Sequence, residues 1–274
     1  MAQDAAKKRH PIPTGTILRY GGVAIVMCVV LTGGIYASQR FEQFLIRDPR
    51  FFLTPAADYG LESPNLQLNG VQYASRARIL HLFADDYGRS IYLFPMAARR
   101  KELLNVSWVR DASILRVWPD HVVVSITERT PAAFIKLPAD GITRWALIDA
   151  DGAILDPPQR APFRLPVLAG VSNAESPDKR ARRVRRMQQL MRDLGPLADN
   201  VSEVDVSDLD DLKISTQVHG KALSLLMGDR NFSSRMKNFL EHYPDIHRKM
   251  PQAGSFDLRL DDRITGLEDA GSAR

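Results

Sequence analysis

Two serine–lysine pairs have the spacing of a nucleophile motif. Ser176 stands three residues before Lys179, and Ser234 stands three residues before Lys237. In penicillin-binding proteins Ser-x-x-Lys activates a serine, but that chemistry also needs a Lys-Thr-Gly strand, which this sequence lacks. We therefore predict no catalytic residues, and we expect Ser234 in the first turn of a helix with Lys237 solvated.

The acidic and histidine clusters do not predict a metal site. Asp149–Gly152 (DADG) begins like a calcium loop, but the third carboxylate position and the later glutamate are missing, so we expect a hairpin turn. The acidic residues of 205–211 suit a solvated loop, and the spacing of His242 and His247 does not put both on one helical face. The single cysteine, Cys28, excludes internal disulfides and multi-cysteine metal centres. No metal and no cofactor is predicted.

An uncharged run from Tyr20 to Ser38 predicts one transmembrane helix. At about 1.5 Å per residue it spans roughly 28 Å, close to the hydrocarbon core of a bilayer. Basic residues dominate the tail 1–19, so the positive-inside rule predicts a cytoplasmic N-terminus and translocation of the rest. A cleavable signal peptide is the alternative, but Ile35 suits the −3 position poorly and the run is longer than usual.

The net charge is concentrated in one predicted helix. Pro177–Leu194 holds seven basic and two acidic residues, which accounts for the whole formal charge of +5. Its apolar stripe includes Val184, Met187 and Met191 at helical spacing. The basic face could bind anionic lipid or cell-wall polymer, or simply be solvated, and we favour the last. Nucleic acid is not expected as a partner, because the helix lies across the membrane from the genome.

The segment beyond the membrane predicts an α+β fold. The segment 39–64, which mixes aromatics and prolines without a period, is expected to form a juxtamembrane stalk. The apolar spacing over 65–131 then predicts the order strand, helix, helix, strand, strand. On its last strand Val122, Val124 and Ile126 share one face.

From residue 132 to residue 267 the pattern predicts a larger, mostly antiparallel β domain with flanking helices. Phe232–Tyr243 is expected to be a helix, while Phe256–Leu260 and Arg263–Leu267 are expected to be the closing strands. Residues 268–274 are expected to be a disordered tail.

Several motifs, in this order, resemble the bacterial FtsQ/DivIB family of division proteins. They are an arginine-bearing strand, a turn proline, a valine-rich strand, Glu-Arg-x-Pro, a hairpin and a closing Asp-Leu-Arg strand. The segments concerned are Trp108–Arg110, Ile114–Pro119, Val122–Ile126, Glu128–Ala133, Leu147–Gly152 and Phe256–Leu260.

The resemblance implies a POTRA domain followed by the family's β domain. It implies a non-enzymatic component of the divisome, anchored in the inner membrane at the division septum with its bulk in the periplasm. The implied partners are FtsB and FtsL, with septal peptidoglycan synthesis by FtsW and FtsI under its control.

In the family the last strand and the preceding helix receive FtsB by strand addition. Carried over position by position, the implied partner-binding residues are Arg259, Leu260, Arg263, Ile264, Gly266 and Leu267, with Phe239 and Tyr243 nearby. The sequence departs from the family at two positions. The family often has an aromatic residue where Leu260 stands in this chain, and another near Leu267. The charged residues over 259–263 are expected to keep this edge strand from pairing with itself.

Two other classes of function are open to the sequence. A membrane-anchored cell-wall enzyme would need a convergent nucleophile and base or paired carboxylates, which the sequence does not show. A POTRA-bearing transport or chaperone component would usually carry tandem modules or a long barrel, for which the segment after residue 131 is too short. Neighbouring genes for cell-wall ligases, FtsA and FtsZ would favour the division protein.

Overall fold

The computed structural model describes residues 14–55, 63–139, 142–158, 163–261 and 263–267. Its α-helices are α1 (Thr14–Arg47), α2 (Arg76–His81), α3 (Met96–Leu103), α4 (Pro177–Leu194) and α5 (Phe232–Lys249). Its strands are β1 (Leu66–Asn69), β2 (Val109–Val117), β3 (His121–Glu128), β4 (Pro131–Ala139), β5 (Ile142–Asp149), β6 (Ile154–Leu155), β7 (Val167–Ala169), β8 (Val201–Asp205), β9 (Leu212–Val218), β10 (Lys221–Gly228), β11 (Ser255–Asp257) and β12 (Thr265–Leu267). The predicted tail 268–274 lies outside the described residues.

Helix α1 extends beyond the predicted span at both ends. It begins at Thr14, inside the expected tail, and runs to Arg47, inside the expected stalk. Its second half continues because no glycine or proline interrupts the chain between Ser38 and Arg47. It ends before Asp48, which precedes a proline and whose carboxylate accepts the N–H of Arg50 at 3.0 Å. Among the described residues, Gly22–Arg47 is long and apolar enough to cross a membrane, with a mean hydropathy of 1.7.

Contacts group the chain into two compact units. The anchor unit contains α1 and the described residues up to Gln67, together with Leu80–Ala97 and Ile114–Val124. The sheet unit contains Leu68–Ile79, Ala98–Ser113 and the described residues from Ser125 onwards.

The elements β1, α2, α3, β2 and β3 follow in the predicted order, and the three strands form a sheet in the order β1-β3-β2. Burial alternates along β3, where Val122, Val124 and Ile126 are buried as expected. The Ser75 hydroxyl accepts the N–H of Arg78 at 3.3 Å, which supports the predicted start of α2.

The larger sheet has nine strands in the order β12-β11-β10-β9-β8-β7-β4-β5-β6. Most neighbouring pairs are antiparallel, as predicted. Parallel pairs join β10 to β11, β4 to β7 and β7 to β8. The short strand β7 was not predicted, because its segment follows a proline-rich loop and offers only three residues.

Helices α4 and α5 contribute to the core of this sheet. From α4, Val184, Met187, Leu190 and Leu194 are buried, while Met191 is only partly buried. Helix α5 runs to Lys249, beyond the predicted end at Tyr243. Proline at 244 predicts a stop, but the helix accommodates it and places Ile246 against the core.

The prediction that the basic residues of α4 form a solvated face is wrong for three arginines. Arg180 is buried and donates to the carbonyls of Gly152 at 2.8 Å and Glu175 at 2.6 Å. Arg183 pairs with the Glu175 carboxylate at 2.8 Å and holds the pKa of Glu175 below its ordinary value. Arg186 donates to backbone carbonyls at Leu209 and Asp229, at 2.8 and 2.7 Å. These side chains fix loops around α4.

The acidic hairpin after β5 is a structural turn, as predicted. The buried Asp149 carboxylate accepts the N–H groups of Asp151 and Ala153 and pairs with Arg129 at 2.7 Å. At Gly152 the φ angle is +79°, and a Cβ there would lie 2.3 Å from the carbonyl oxygen of Pro177, so only glycine fits.

Candidate partner-binding edge

Strand β12 is the terminal strand of the nine-stranded sheet. It pairs antiparallel with β11, with Asp257 opposite Thr265, Phe256 opposite Gly266 and Ser255 opposite Leu267. Within the described residues no strand pairs with the other side of β12. A strand of this kind presents unpaired backbone N–H and C=O groups to another chain.

The closing strands are shorter than predicted. Strand β11 ends at Asp257 and β12 begins at Thr265, so Arg259, Leu260 and Ile264 lie in the connection between them. Ile264 is partly buried against the core. The connection leaves the ladder because two ion pairs hold it in a turn.

The first set of ion pairs joins Arg259 to the end of β11 and to the residue that precedes β9. Its guanidinium contacts Asp257 at 2.7 Å and Asp211 at 3.0 Å. The hydrogen bond from the Arg259 side chain holds the pKa of Asp257 below its ordinary value, and the Arg259 backbone N–H acts in the same direction.

The second ion pair anchors the turn to α5. Arg235 is buried and donates to the Asp261 carboxylate at 2.8 Å and to the carbonyl of Met227 at 2.7 Å. The hydrogen bond from Arg235 to the Asp261 carboxylate lowers the pKa of Asp261. The charges of Arg259 and Asp261, which the sequence predicts as protection of the edge against self-pairing, are therefore paired within the chain.

Phe239 and Tyr243 lie beneath the edge. Both side chains are buried, and their rings pack on Phe256 of β11 with centroids 5.2 and 6.4 Å away. Burial raises the pKa of the Tyr243 hydroxyl. The two residues support the strand that carries β12 and do not present a contact surface.

Two predicted residues present apolar side chains to solvent. Leu260 is 56% exposed and Leu267 is 38% exposed. A Cβ on Gly266 would lie 3.2 Å from the Cε atom of Met250. The absence of a side chain at 266 thus lets Met250 cover the inner side of the strand.

A groove runs between the turn and the polar side of α5. It consists of two clefts of about 250 and 260 Å³. Helix α5 lines them with Ser234, Asn238, His242 and Ile246, and the turn lines them with Leu260, Arg263 and Ile264. The four helix residues were not predicted as site residues, although their spacing of four places them in one row along the helix.

The described residues of the groove are one serine, one asparagine, one aspartate and apolar or basic side chains on two sides of the cleft. Ser234 and Asn238 lie on one side of a shallow cleft, and Lys237 is exposed on the helix. Within the described part of the chain no group of three or more His, Cys, Asp or Glu side chains could hold a metal ion. The arrangement can bind an extended segment through backbone hydrogen bonds and apolar contacts.

These features define a class of protein. Its described residues form one apolar helix near the N-terminus, a βααββ module and a mixed sheet whose terminal strand β12 has a strand on one side only. A POTRA domain of the FtsQ type matches residues 64–129, and the C-terminal domain of the cell division protein FtsQ/DivIB matches residues 139–259.

Relatives extend the match along most of the chain. The chain is 28% identical over 265 residues to a cell division protein FtsQ from Koribacter versatilis, covering 94% of this chain and 73% of the relative. It is 27% identical to a cell division protein FtsQ from Novosphingobium aromaticivorans, covering 91% and 72%. The major extracytoplasmic domain of DivIB from Geobacillus stearothermophilus matches 45% of this chain and 96% of that structure at 16% identity, with a TM-score of 0.24, too low to carry the assignment.

The chain belongs to the FtsQ/DivIB family of cell division proteins. This assignment confirms the resemblance read from its motifs, and it separates the chain from POTRA-bearing transport components.

Proposed function

We propose that this protein is a non-enzymatic, single-pass component of the divisome that captures FtsB, and with it FtsL, on the free side of β12. In this proposal the N-terminus is cytoplasmic and the bulk is periplasmic, with the protein in the inner membrane at the septum. The captured complex then helps to recruit and control septal peptidoglycan synthesis by FtsW and FtsI.

The single observation that carries the proposal is the unpaired side of β12. An extended partner segment placed there would continue the sheet and pair with the backbone groups on the outer side of β12. Backbone pairing supplies affinity without reading sequence, so side chains beside the strand must select the partner.

The exposed leucines and the groove along α5 suit that selecting role. Leu260 and Leu267 offer apolar area next to the strand, and such area at the centre of an interface is where binding energy concentrates. Asn238 and His242 add hydrogen-bonding groups on the facing helix.

The support beneath the strand is rigid. Phe239, Tyr243 and Phe256 pack ring against ring, and the Arg235–Asp261 pair fixes the turn that leads into β12. A preformed edge reduces the ordering cost that a partner has to overcome on binding.

A proline substitution at Thr265 tests the strand addition. Thr265→Pro removes one backbone donor and fixes φ, whereas Thr265→Ala at the same exposed position keeps the N–H group. We expect Thr265→Pro to reduce capture of the FtsB–FtsL complex at least roughly tenfold, and Thr265→Ala to bind within about twofold of wild type. Both variants should keep the thermal transition within a few degrees, because β12 contributes only an edge.

A side-chain variant tests the selecting role. Leu260→Asp should weaken capture by about 1–2 kcal/mol without loss of folding, because Leu260 is exposed in the free chain. Trp145→Ala, at another exposed apolar residue, is the matched control and should bind normally. Full-strength capture by Thr265→Pro would exclude β12 and direct attention to the exposed arginines of α4.

A further inference from the structure

The anchor unit has an exposed apolar surface that the proposed partner edge does not use. Leu115 and Val117 alternate with Arg116 on β2 and so point to the same face, where Leu115 is 62% exposed. Trp118 follows directly and is 50% exposed. Large apolar side chains that are exposed next to one another indicate a surface that is normally covered.

Hydrogen bonds join the segment 88–93 to the end of α1 and to the residues that follow the helix. The Ser90 hydroxyl donates to the carbonyl of Leu45 at 2.6 Å, two residues before the helix ends. Residues Phe52 and Ser90 form a β-bridge, and the N–H of Leu53 donates to the carbonyl of Arg89 at 2.9 Å. The segment 88–93 therefore has a fixed position relative to the helix.

A chain of aromatic contacts leads from α1 to Trp118. The ring of Phe44 lies 5.5 Å from that of Phe51, and Phe51 lies 5.6 Å from Trp118, both in edge-to-face geometry. Phe44 is six residues past Ser38, the end of the uncharged run, which corresponds to about 9 Å along the helix. The aromatic contacts therefore connect Trp118 to the part of α1 that directly follows the uncharged run.

The charges around this surface suit phospholipid headgroups. Arg50, which precedes Phe51, pairs with Asp48 at 2.8 Å, and its guanidinium lies 5.7 Å from the centre of the Phe44 ring. Arg47, at the end of α1, is exposed. Exposed arginines next to a tryptophan are typical of proteins at a membrane–water interface, since the ring prefers that layer and the guanidinium binds phosphate.

We propose that Leu115, Val117 and Trp118 rest on the membrane leaflet from which α1 emerges, with the tryptophan ring at the level of the lipid headgroups. This inference rests on the membrane anchoring included in the proposed function. The continuity of the surface with α1 identifies phospholipid as the occupant, because a lipid surface is already present there when the helix spans the bilayer. The contact would hold the POTRA-type domain against the membrane.

Tryptophan fluorescence of the full chain in vesicles tests the contact. Trp108→Phe combined with Trp145→Phe leaves Trp118 as the single emitter, and Trp108→Phe combined with Trp118→Phe leaves Trp145, which is 47% exposed and serves as the matched control. The vesicles contain phosphatidylcholine and phosphatidylglycerol, with a nitroxide on the choline headgroup as the quencher. We expect quenching of Trp118 to exceed that of Trp145 roughly threefold, with emission of Trp118 at shorter wavelength.

A second measurement covers the case in which Trp108→Phe impairs folding. Cys28→Ser combined with Leu115→Cys allows a spin label at 115 with all three tryptophans intact. We expect this label to collide more often with oxygen than with a water-soluble nickel complex, because oxygen concentrates in lipid and the nickel complex stays in water.

Equal quenching of Trp118 and Trp145, or a label at 115 that favours the nickel complex, would overturn the contact. Flotation of the chain with the vesicles in the same samples separates this result from a failure of the anchor. Protection of Trp118 from aqueous quenchers without quenching from lipid would also overturn it and would indicate a protein on this surface.

Discussion

At the scale of single residues, Arg180 shows that a charged residue of a basic helix can be buried. It belongs to a helix with five excess positive charges, yet its guanidinium is buried among backbone carbonyls. These carbonyls lie in loops, outside helices and strands. The arginine side chain donates the hydrogen bonds that a backbone N–H would donate in regular secondary structure. Arg182, two residues on, is exposed.

We expect Arg180→Met to lower the free energy of unfolding by about 1–3 kcal/mol, because methionine leaves the carbonyls of Gly152 and Glu175 unsatisfied. Arg182→Met removes the same charge from the exposed side and should change stability by less than about 0.5 kcal/mol. Urea unfolding followed by circular dichroism distinguishes the two. Equal effects would show that the net charge of α4, and not the buried contacts, matters.

The pKa of Asp257 gives a second residue-scale prediction. Its folded-state pKa lies below the ordinary 3.8, so the Arg259 pair stabilises the turn above about pH 4, and this contribution is lost as the pH falls through the lowered pKa. Arg259→Met should raise the Asp257 pKa in an NMR titration of the carboxyl group. Arg263 is a nearby arginine whose described contacts do not include Asp257, so Arg263→Met should leave the pKa of Asp257 unchanged. An unchanged midpoint in Arg259→Met would exclude the pair as the cause.

At the scale of elements, β3 shows that alternation determines what a strand tolerates. Val124 is fully buried, and Ser125 beside it is exposed. Val124→Asp would place an unpaired carboxylate in the core and should cost about 3 kcal/mol or more, while Ser125→Asp should stay within about 0.5 kcal/mol. Circular dichroism melting curves of the two variants compare them directly. Similar losses of folding would contradict the observed face of the strand.

The elements also show which parts of the fold the sequence could predict. Pro177 and Gly195 flank α4, and its bounds match the prediction because both ends carry strong local signals. Proline at 244 gave an equally strong signal and was misleading, because packing of Ile246 outweighs it. Local patterns also could not predict β7, whose three residues are strand only through their parallel neighbours β4 and β8.

The candidate site was predictable in position but not in detail. The alternating pattern placed an edge strand near residue 265, and β12 lies there. Phe239 and Tyr243, which the resemblance implies near the partner strand, lie in the core, and their burial depends on how α5 packs on β11, which is a tertiary feature. The groove residue His242 was missed for the same reason.

At the scale of the whole molecule, the distribution of charge around α1 predicts its orientation. We expect N-in, C-out insertion without cleavage, because basic residues precede the uncharged run. Alkaline phosphatase fused after Arg274 should be active, and N-terminal sequencing should give a chain that retains the helix. An inactive fusion would show that the orientation is opposite to the expected one. A mature chain that starts near Ser38 would show that the helix is a signal peptide.

The place of β12 in the chain has a consequence for timing. Every other described strand precedes it in sequence, so during synthesis β12 is the last of the described strands to emerge. A chain interrupted before Thr265 lacks this strand. Under the proposed function such a chain would not be captured, so capture on β12 would also test whether the chain had been translated and exported through this point.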